Sequence, residues 1–276
     1  MESHSGRNDR TGIERYKVIL AYDGTHFLGF QRQSADRTVQ LEVEAALRQL
    51  GWQGRTILAS GRTDTGVHAA GQVIAFDLAW RHSPEALARA INHHLPDDVA
   101  VKGIEVAAAD FHPRFDATAR TYHYHLLSVP ERDPLRDRFT WRVWPPCSLE
   151  RLQAAAQLLR GTHDFAAFGT PPRPGGSTIR TVFGVEWQVK EEALLRFEVT
   201  ANAFLYHMVR RMVFLQVLVG QERLSLERLQ GSVEHTQPLT PGLAPPQGLV
   251  LQAVQYGARE RSPRMYVNNG EDASDD

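Results

Sequence analysis

The chain has 276 residues, 42% of them hydrophobic, so it is long enough to bury a core in one large domain or two smaller ones. The single cysteine, Cys147, excludes an intrachain disulfide and a cysteine-based zinc site. No apolar run reaches the roughly 18 residues of a membrane-spanning helix, and the first dozen residues lack the apolar core of a secretory signal, so we expect a cytoplasmic protein.

The charge is nearly balanced, with 31 basic and 32 acidic side chains. Four of the acidic residues lie in the last six positions, and the basic set contains only three lysines. Arginine suits bidentate phosphate contacts and stacking on bases. A GC-rich genome explains the same arginine bias, so the charge permits a nucleic-acid partner without requiring one.

The first half reads as strand, helix, strand, strand, helix, strand. A polar stretch over residues 1–14 precedes it, and we expect this stretch to be disordered. Ser83 followed by Pro84 is typical of a helix start, and Gly51 is typical of a helix end. The spacing of apolar residues predicts strands over 16–24, 56–60, 71–77 and 99–107 and helices over 38–51 and 83–95.

A similar order recurs in the second half. Ser148 is a candidate N-cap, and a Pro- and Gly-rich loop occupies residues 169–177. The predicted elements are strands over 120–129, 179–190, 194–201 and 249–256 and helices over 148–161 and 203–220.

These patterns predict an α+β fold built from two similar split-βαβ halves of the RRM-like kind. The halves are expected to form a mostly antiparallel sheet with helices packed on one side and a cleft between them, where we place the functional site. We place the N-terminal half at residues 15–115 and the C-terminal half at residues 116–258. Residues 259–276 are expected to be a mostly disordered acidic tail.

The turn between the second and third strands carries Arg62 and Asp64, two positions apart. An aspartate in a turn often accepts a hydrogen bond from a nearby backbone N–H, and that role is open here. Arg62 is close enough to compete for the carboxylate, and Gly66 allows a ligand to approach. A carboxylate kept ionised by a nearby arginine can act as a nucleophile, so Asp64 is a candidate catalytic residue.

Two further segments carry aromatic rings. Phe27 and Phe30 crowd the loop after the first strand, where they either cap the core or bind splayed bases. On strand 120–129, Tyr122 can point into a cleft and stack on a base, while His123 and His125 share the opposite face. No carboxylate or cysteine nearby in the sequence completes a metal site with these histidines, so none is expected.

Arg210 and Arg211 lie within an otherwise apolar helix, where a charge is costly unless it is paired. Either one of them reaches solvent at the edge of the helix, or one pairs with a buried carboxylate. Asp64 is the obvious partner for such a pair.

Five segments together resemble the tRNA pseudouridine synthase A family. They are "AYDGTHFLGFQRQ", "GRTDTGVHA", "ARTYHYHL", "NAFLYHMVR" and "APPQGLVL", in that order, within residues 15–257. The resemblance implies isomerisation of uridine to pseudouridine at positions 38, 39 and 40 of the tRNA anticodon stem-loop. It also implies a homodimer that needs neither a metal nor a cofactor.

The resemblance assigns a role to each matching residue. Asp64 falls on the catalytic aspartate, Arg210 on the arginine that pairs with it, and Tyr122 on the active-site tyrosine. Arg62 falls on an arginine that handles RNA near the flipped base, and Leu249 falls near an apolar residue of the uracil pocket. Two positions depart from the familiar pattern: Arg211 replaces a polar residue, and Ser60 replaces a small apolar one.

Two other classes of protein share some of these features. An RNA-binding module without catalysis explains the aromatic residues and arginines but leaves the pairable aspartate unexplained. A metal-dependent hydrolase could use some of the 12 histidines, yet the pairs His93–His94 and His123–His125 lack further ligands.

Overall fold

The computed structural model describes residues 12–33, 36–235 and 240–257. Most of the N-terminal stretch and all of the acidic tail, for which disorder is predicted, lie outside the described residues. The first strand begins at Ile13, two residues before the predicted start of the N-terminal half. The division near residue 115 stays a prediction.

The described part of the chain contains ten strands and five α-helices. The strands are β1 (Ile13–Tyr22), β2 (Leu58–Ala59), β3 (His68–Ala79), β4 (Val99–Val106), β5 (Ala117–Leu127), β6 (Trp141–Arg142), β7 (Gly161–Asp164), β8 (Ile179–Glu191), β9 (Leu194–Ala201) and β10 (Leu249–Tyr256). The helices are α1 (Val39–Gln49), α2 (Pro84–His94), α3 (Leu149–Gln157), α4 (Met208–Gly220) and α5 (Leu226–His235).

All ten strands belong to one sheet, in the order β4-β1-β3-β10-β5-β9-β8-β7, with β2 beside β3 and β6 beside β5. Its pairs are antiparallel except β3 with β10 and β5 with β6. The predicted α+β fold, with a mostly antiparallel sheet and helices packed on one side, is confirmed. β3 and β10 pair over only two positions, Val250 with His68 and Leu251 with Ala69.

Two large apolar cores pack against this sheet, beside a small third cluster of Val73, Ala75 and Phe111. In the first, alternate side chains of β1, such as Val18 and Leu20, pack with Leu47 of α1 and Leu87 of α2. The second is built from β5, β8, β9, α3 and α4. Tyr122 packs against both clusters, which places its ring at the junction of the two cores.

The predicted helix starts at Ser83 and Ser148 are correct, because each serine side chain accepts a hydrogen bond from a backbone N–H of its helix. The predicted start of the long apolar helix at residue 203 is wrong. α4 begins only at Met208, because Tyr206 is held in a bridge with Thr170 and His207 has a left-handed φ of 66°.

The loop after β1 packs tightly against the turn over residues 61–67. Phe30 N–H donates to Thr63 O at 3.1 Å, and Gly66 N–H donates to Phe27 O at 3.3 Å. Gly24 touches the same turn: a Cβ added there would lie 2.1 Å from Val67 O. Glycine at position 24 therefore permits the close approach of the two segments that fixes the turn.

We expect Gly24→Ala to lower the free energy of unfolding by at least about 1–3 kcal/mol, because the added methyl overlaps backbone that cannot rotate away. Urea titration followed by circular dichroism measures the change. Gly184→Ala in β8 is the matched control, because a Cβ there meets nothing within 4 Å. Equal stability of both variants with the wild type would contradict the packing argument.

Candidate active site

A cleft of about 680 Å³ opens where the two parts of the sheet meet. The turn over residues 61–67, β5, the start of α4 and the start of β10 contribute to its walls. Among the described residues that line it, Asp64 is the one carboxylate. The lining arginines are Arg62, Arg114, Arg120, Arg180 and Arg210. The cleft is therefore basic around a single negative group.

Asp64 lies in a turn that is fixed by its neighbours. The Val67 N–H donates to Asp64 O at 3.1 Å, and the hydroxyls of Thr63 and Tyr22 are 2.8 Å apart. The Asp64 side chain is 20% exposed, so it borders the cleft and stays accessible from it. Within the described residues its carboxylate contacts side chains rather than a backbone N–H, which sets aside the open alternative of a local turn hydrogen bond.

Arg210 is the nearest cation to Asp64. Its Nη1 donates to Asp64 Oδ2 at 3.0 Å, and its Nε donates to Ala244 O at 2.8 Å. The Ala244 N–H donates back to Arg210 O at 3.2 Å. These bonds fix the guanidinium, whose side chain is 14% exposed, against the carboxylate.

Arg211, the next residue of α4, points elsewhere. Its Nη1 donates to Gly242 O at 2.8 Å, and burial lowers the pKa of its guanidinium. Of the two helix arginines, Arg210 is thus the one that contacts Asp64, while Arg211 is anchored to the segment before β10.

His207 is a further neighbour of Asp64, and the sequence reasoning missed it. Its Nε2 lies 3.5 Å from Asp64 Oδ2, and its ring stacks on Tyr206 with centroids 3.7 Å apart. Burial lowers the pKa of His207, Asp64 opposes this shift, and Arg210 reinforces it. Its place in the same segment as Arg210, "HMVR", was a signal that could have found it.

Tyr122 and Leu249 form an apolar part of the wall. Tyr122 packs edge to face on Phe204 with centroids 5.0 Å apart. Burial and then the charge of Asp64 raise the pKa of Tyr122 to about 12. Leu249 is 5% exposed and pairs with Tyr124 across β10 and β5.

Arg62 is exposed in the cleft and does not contact Asp64. Within the described part of the chain it makes no hydrogen bond or ion pair, so the expected competition for the carboxylate is absent from the structure. Burial and the neighbouring Arg114 lower the pKa of Arg62. Two neighbouring arginines of this kind are suited to an anionic ligand.

The loop after β1 packs behind the site, and its Phe30 and Gln31 also border the cleft. Phe27 is 1% exposed and Phe30 is 2% exposed, so their rings belong to the core. His68 connects this loop to the segment before β10, because its Nδ1 accepts from the Gly24 N–H and its Nε2 lies 3.1 Å from Gln247 O. Of the two readings left open for these aromatic residues, capping the core is correct.

The histidine pair on β5 has a carboxylate neighbour that is far away in the sequence. His123 Nε2 lies 2.8 Å from Glu198 Oε2 on the adjacent strand β9. Across the described ranges, no group of three or more His, Cys, Asp or Glu side chains could hold a metal ion. In the same residues, no helix has the length and apolar character to span a membrane.

Comparisons with known proteins give the same result along nearly the whole chain. A family model described as tRNA pseudouridine synthase matches residues 18–116 and 155–257. The tRNA pseudouridine synthase A of Geobacillus sp. strain WCH70 is 39% identical over 246 residues, covering 88% of this chain and 98% of the relative. That of Geobacillus kaustophilus is 41% identical over 249 residues, covering 88% and 95%.

Among solved structures, the Cbf5–Nop10–Gar1 complex is a distant likeness. It is 12% identical to this chain with a TM-score of 0.34, and the match covers 74% of this chain and 45% of that one. The family assignment therefore rests on sequence. It excludes a binding module without catalysis and a metal-dependent hydrolase as the class of this protein. The chain belongs to the tRNA pseudouridine synthase family, whose members are isomerases.

Proposed function

We propose that the protein isomerises uridine to pseudouridine at positions 38, 39 and 40 of the tRNA anticodon stem-loop, with Asp64 as the nucleophile. We infer further that it does so in the cytoplasm, as a homodimer. The observation that carries the catalytic part is the contact between Asp64 and Arg210 inside a cleft lined by arginines. The positions in tRNA rest on the resemblance of the five segments.

The reaction breaks the glycosidic bond between C1′ and N1, turns the uracil and joins C5 to C1′. No atom is gained or lost overall, so the chemistry requires no redox or group-carrying cofactor. A uracil inside a stem is stacked and out of reach, and extruding it costs a few kcal/mol. The enzyme must therefore grip the backbone firmly enough to offset that cost.

The arginines of the cleft can supply that grip. A guanidinium that is not already bonded can donate two parallel hydrogen bonds to a phosphate, and the combined charge of the cleft arginines attracts the RNA to a site that holds one carboxylate. Arg62, exposed and unbonded among the described residues, is suited to a phosphate beside the flipped nucleotide or to the space the base has left. RNA binding thus brings negative charge to the cleft walls, where cations receive it.

The apolar part of the wall can hold the flipped base. Tyr122 offers the face of its ring for stacking, which is worth about 1–3 kcal/mol per base in single-stranded complexes. Leu249 closes the pocket beside it. Arg210 orients the Asp64 carboxylate toward the nucleotide that these two residues hold.

Asp64→Asn is expected to abolish pseudouridine formation on unmodified tRNA in the presence of EDTA, because attack needs the charge. Affinity for tRNA should change by no more than a few-fold, since binding rests on phosphate contacts. Single-turnover assay with mapping of pseudouridine gives both the activity and the positions. Asp77→Asn is the control, an aspartate that pairs with Arg15 at 2.7 Å outside the cleft. An active Asp64→Asn enzyme, or wild-type product outside positions 38–40, would contradict the corresponding part of the proposal.

Arg210→Gln is expected to cut the single-turnover rate by roughly 100-fold, because a nucleophile that loses its orienting partner is misplaced. Breaking a largely buried pair also costs up to about 3–5 kcal/mol of stability. Circular dichroism establishes that the variant is folded before its rate is measured. Arg211→Gln is the matched control, one residue along the helix and bonded to Gly242 instead of Asp64. If both variants lose the same rate, the effect belongs to the helix and not to the Asp64 contact.

The homodimer is inferred from the resemblance and from the size of the substrate. A stem-loop is wide and rigid, and one chain of 31.0 kDa offers limited surface to grip and orient it. Multi-angle light scattering at micromolar concentration should give about twice the mass of one chain. A mass of one chain across that range, in an active preparation, would show that the enzyme works as a monomer.

A further inference from the structure

His207 occupies a strained position directly beside the nucleophile. Its φ of 66° lies in the left-handed region that non-glycine residues avoid, and its side chain does not cap α4. Such conformations persist where surrounding structure enforces them, and they cluster at functional sites. Strain at His207 therefore calls for a reason beyond the folding of the helix.

The neighbouring backbone holds His207 in this conformation. Tyr206 N–H donates to Thr170 O at 2.9 Å before it, and Arg211 N–H donates to His207 O at 3.0 Å after it. Gly169 permits the approach of the first segment, because a Cβ at that glycine would lie 2.4 Å from Tyr206 O. These contacts turn the imidazole toward Asp64 instead of toward the helix N–H groups.

The groups that face His207 leave its imidazole neutral near pH 7. Burial lowers its pKa below the ordinary value, Arg210 of α4 reinforces this, and Asp64 of the facing turn opposes it. Tyr206 of the preceding position stacks on the imidazole with centroids 3.7 Å apart, and Tyr122 is another titratable group that lines the cleft. Its raised pKa, about 12, keeps the phenol protonated, so it is a poor base at neutral pH.

The reaction needs a base after the new carbon–carbon bond has formed. At that point C5 carries both its hydrogen and C1′, and N1 is double-bonded to C6. The C5–H electron pair becomes the C5–C6 double bond, the C6–N1 π electrons return to N1, and N1 takes a proton. The proton lost from C5 and the proton gained by N1 balance, so no oxidant or reductant is involved.

We propose that Nε2 of His207 is the base that accepts the proton from C5. The proposal rests on the proposed function and deepens it. Nε2 lies 3.5 Å from the Asp64 oxygen, so a nucleotide within reach of the nucleophile is within reach of the imidazole. In this scheme Asp64 attacks the nucleotide, Arg210 orients the Asp64 carboxylate, and His207 removes the proton from C5.

The test uses the full-length enzyme and tRNA transcripts whose uridines carry either hydrogen or deuterium at C5. His207→Gly keeps the backbone, because glycine adopts a φ of 66° without strain, and it opens space for added imidazole. His207→Asn tolerates the same φ and keeps a hydrogen-bond donor, but it cannot take a proton. His82→Asn, an exposed histidine, is the control for the substitution itself.

We expect both His207 variants to lose roughly 100-fold or more in single-turnover rate. Their isotope effect at C5 should exceed that of the wild type, because deprotonation becomes limiting, and imidazole should restore turnover in His207→Gly. Tyr122→Phe should show the wild-type isotope effect.

Three results would overturn the proposal: a His207→Gly rate within a few-fold of the wild type, a lost rate with the wild-type isotope effect and no response to imidazole, or a raised isotope effect in Tyr122→Phe instead. A wild-type enzyme that forms no pseudouridine would count against the proposed function itself, whereas normal wild-type turnover with unaffected His207 variants would count against His207 alone.

Discussion

The contact between Asp64 and Arg210 joins parts of the chain that are 146 residues apart, and the geometry of the cleft depends on it. Each partner is also held in place by contacts that do not involve the other. The Asp64 turn is packed from behind by the loop after β1, and Arg210 is bonded to the backbone of Ala244. The pair is therefore positioned from both sides, which limits its freedom to rearrange when RNA enters.

The same pair also reduces the electrostatic repulsion between RNA and the Asp64 carboxylate. RNA is polyanionic, and the group that we propose as its nucleophile is a carboxylate. In the function we propose, arginines spread over the cleft receive the phosphates, while one arginine at hydrogen-bond distance offsets the charge of the carboxylate. Positive charge is thus spread over the walls of the cleft, and the negative charge is confined to Asp64.

Sequence patterns could predict the features that depend on local chemistry. Alternating apolar residues placed β1 and β5, the serine caps placed α2 and α3, and the cost of a buried arginine pointed to an Asp64 partner. Features set by tertiary contacts were out of reach. The late start of α4 depends on the Thr170–Tyr206 bridge, which hydropathy cannot register.

Strand register and the shortness of some elements also limited what the sequence could predict. Glu198 meets His123 only because β9 pairs with β5 in one alignment, so no spacing along the chain reveals the contact. β6 and β7 have two and four residues, too few for a period to show. α5 was not predicted either; it contains Gly231, which weakens a helical pattern.

The position of β10 in the sheet has a consequence for how the enzyme matures. This strand comes last in the described chain, yet it lies between β3 and β5 in the middle of the sheet. During synthesis the ribosome releases β3 and the Asp64 turn long before β10 emerges. The edge of β3 that pairs with β10 therefore stays unpaired until then. The cleft is complete only when the chain has been made through β10. A partly made chain therefore carries Asp64 without Leu249 opposite it, so the walls of the cleft are complete only at a late step of synthesis.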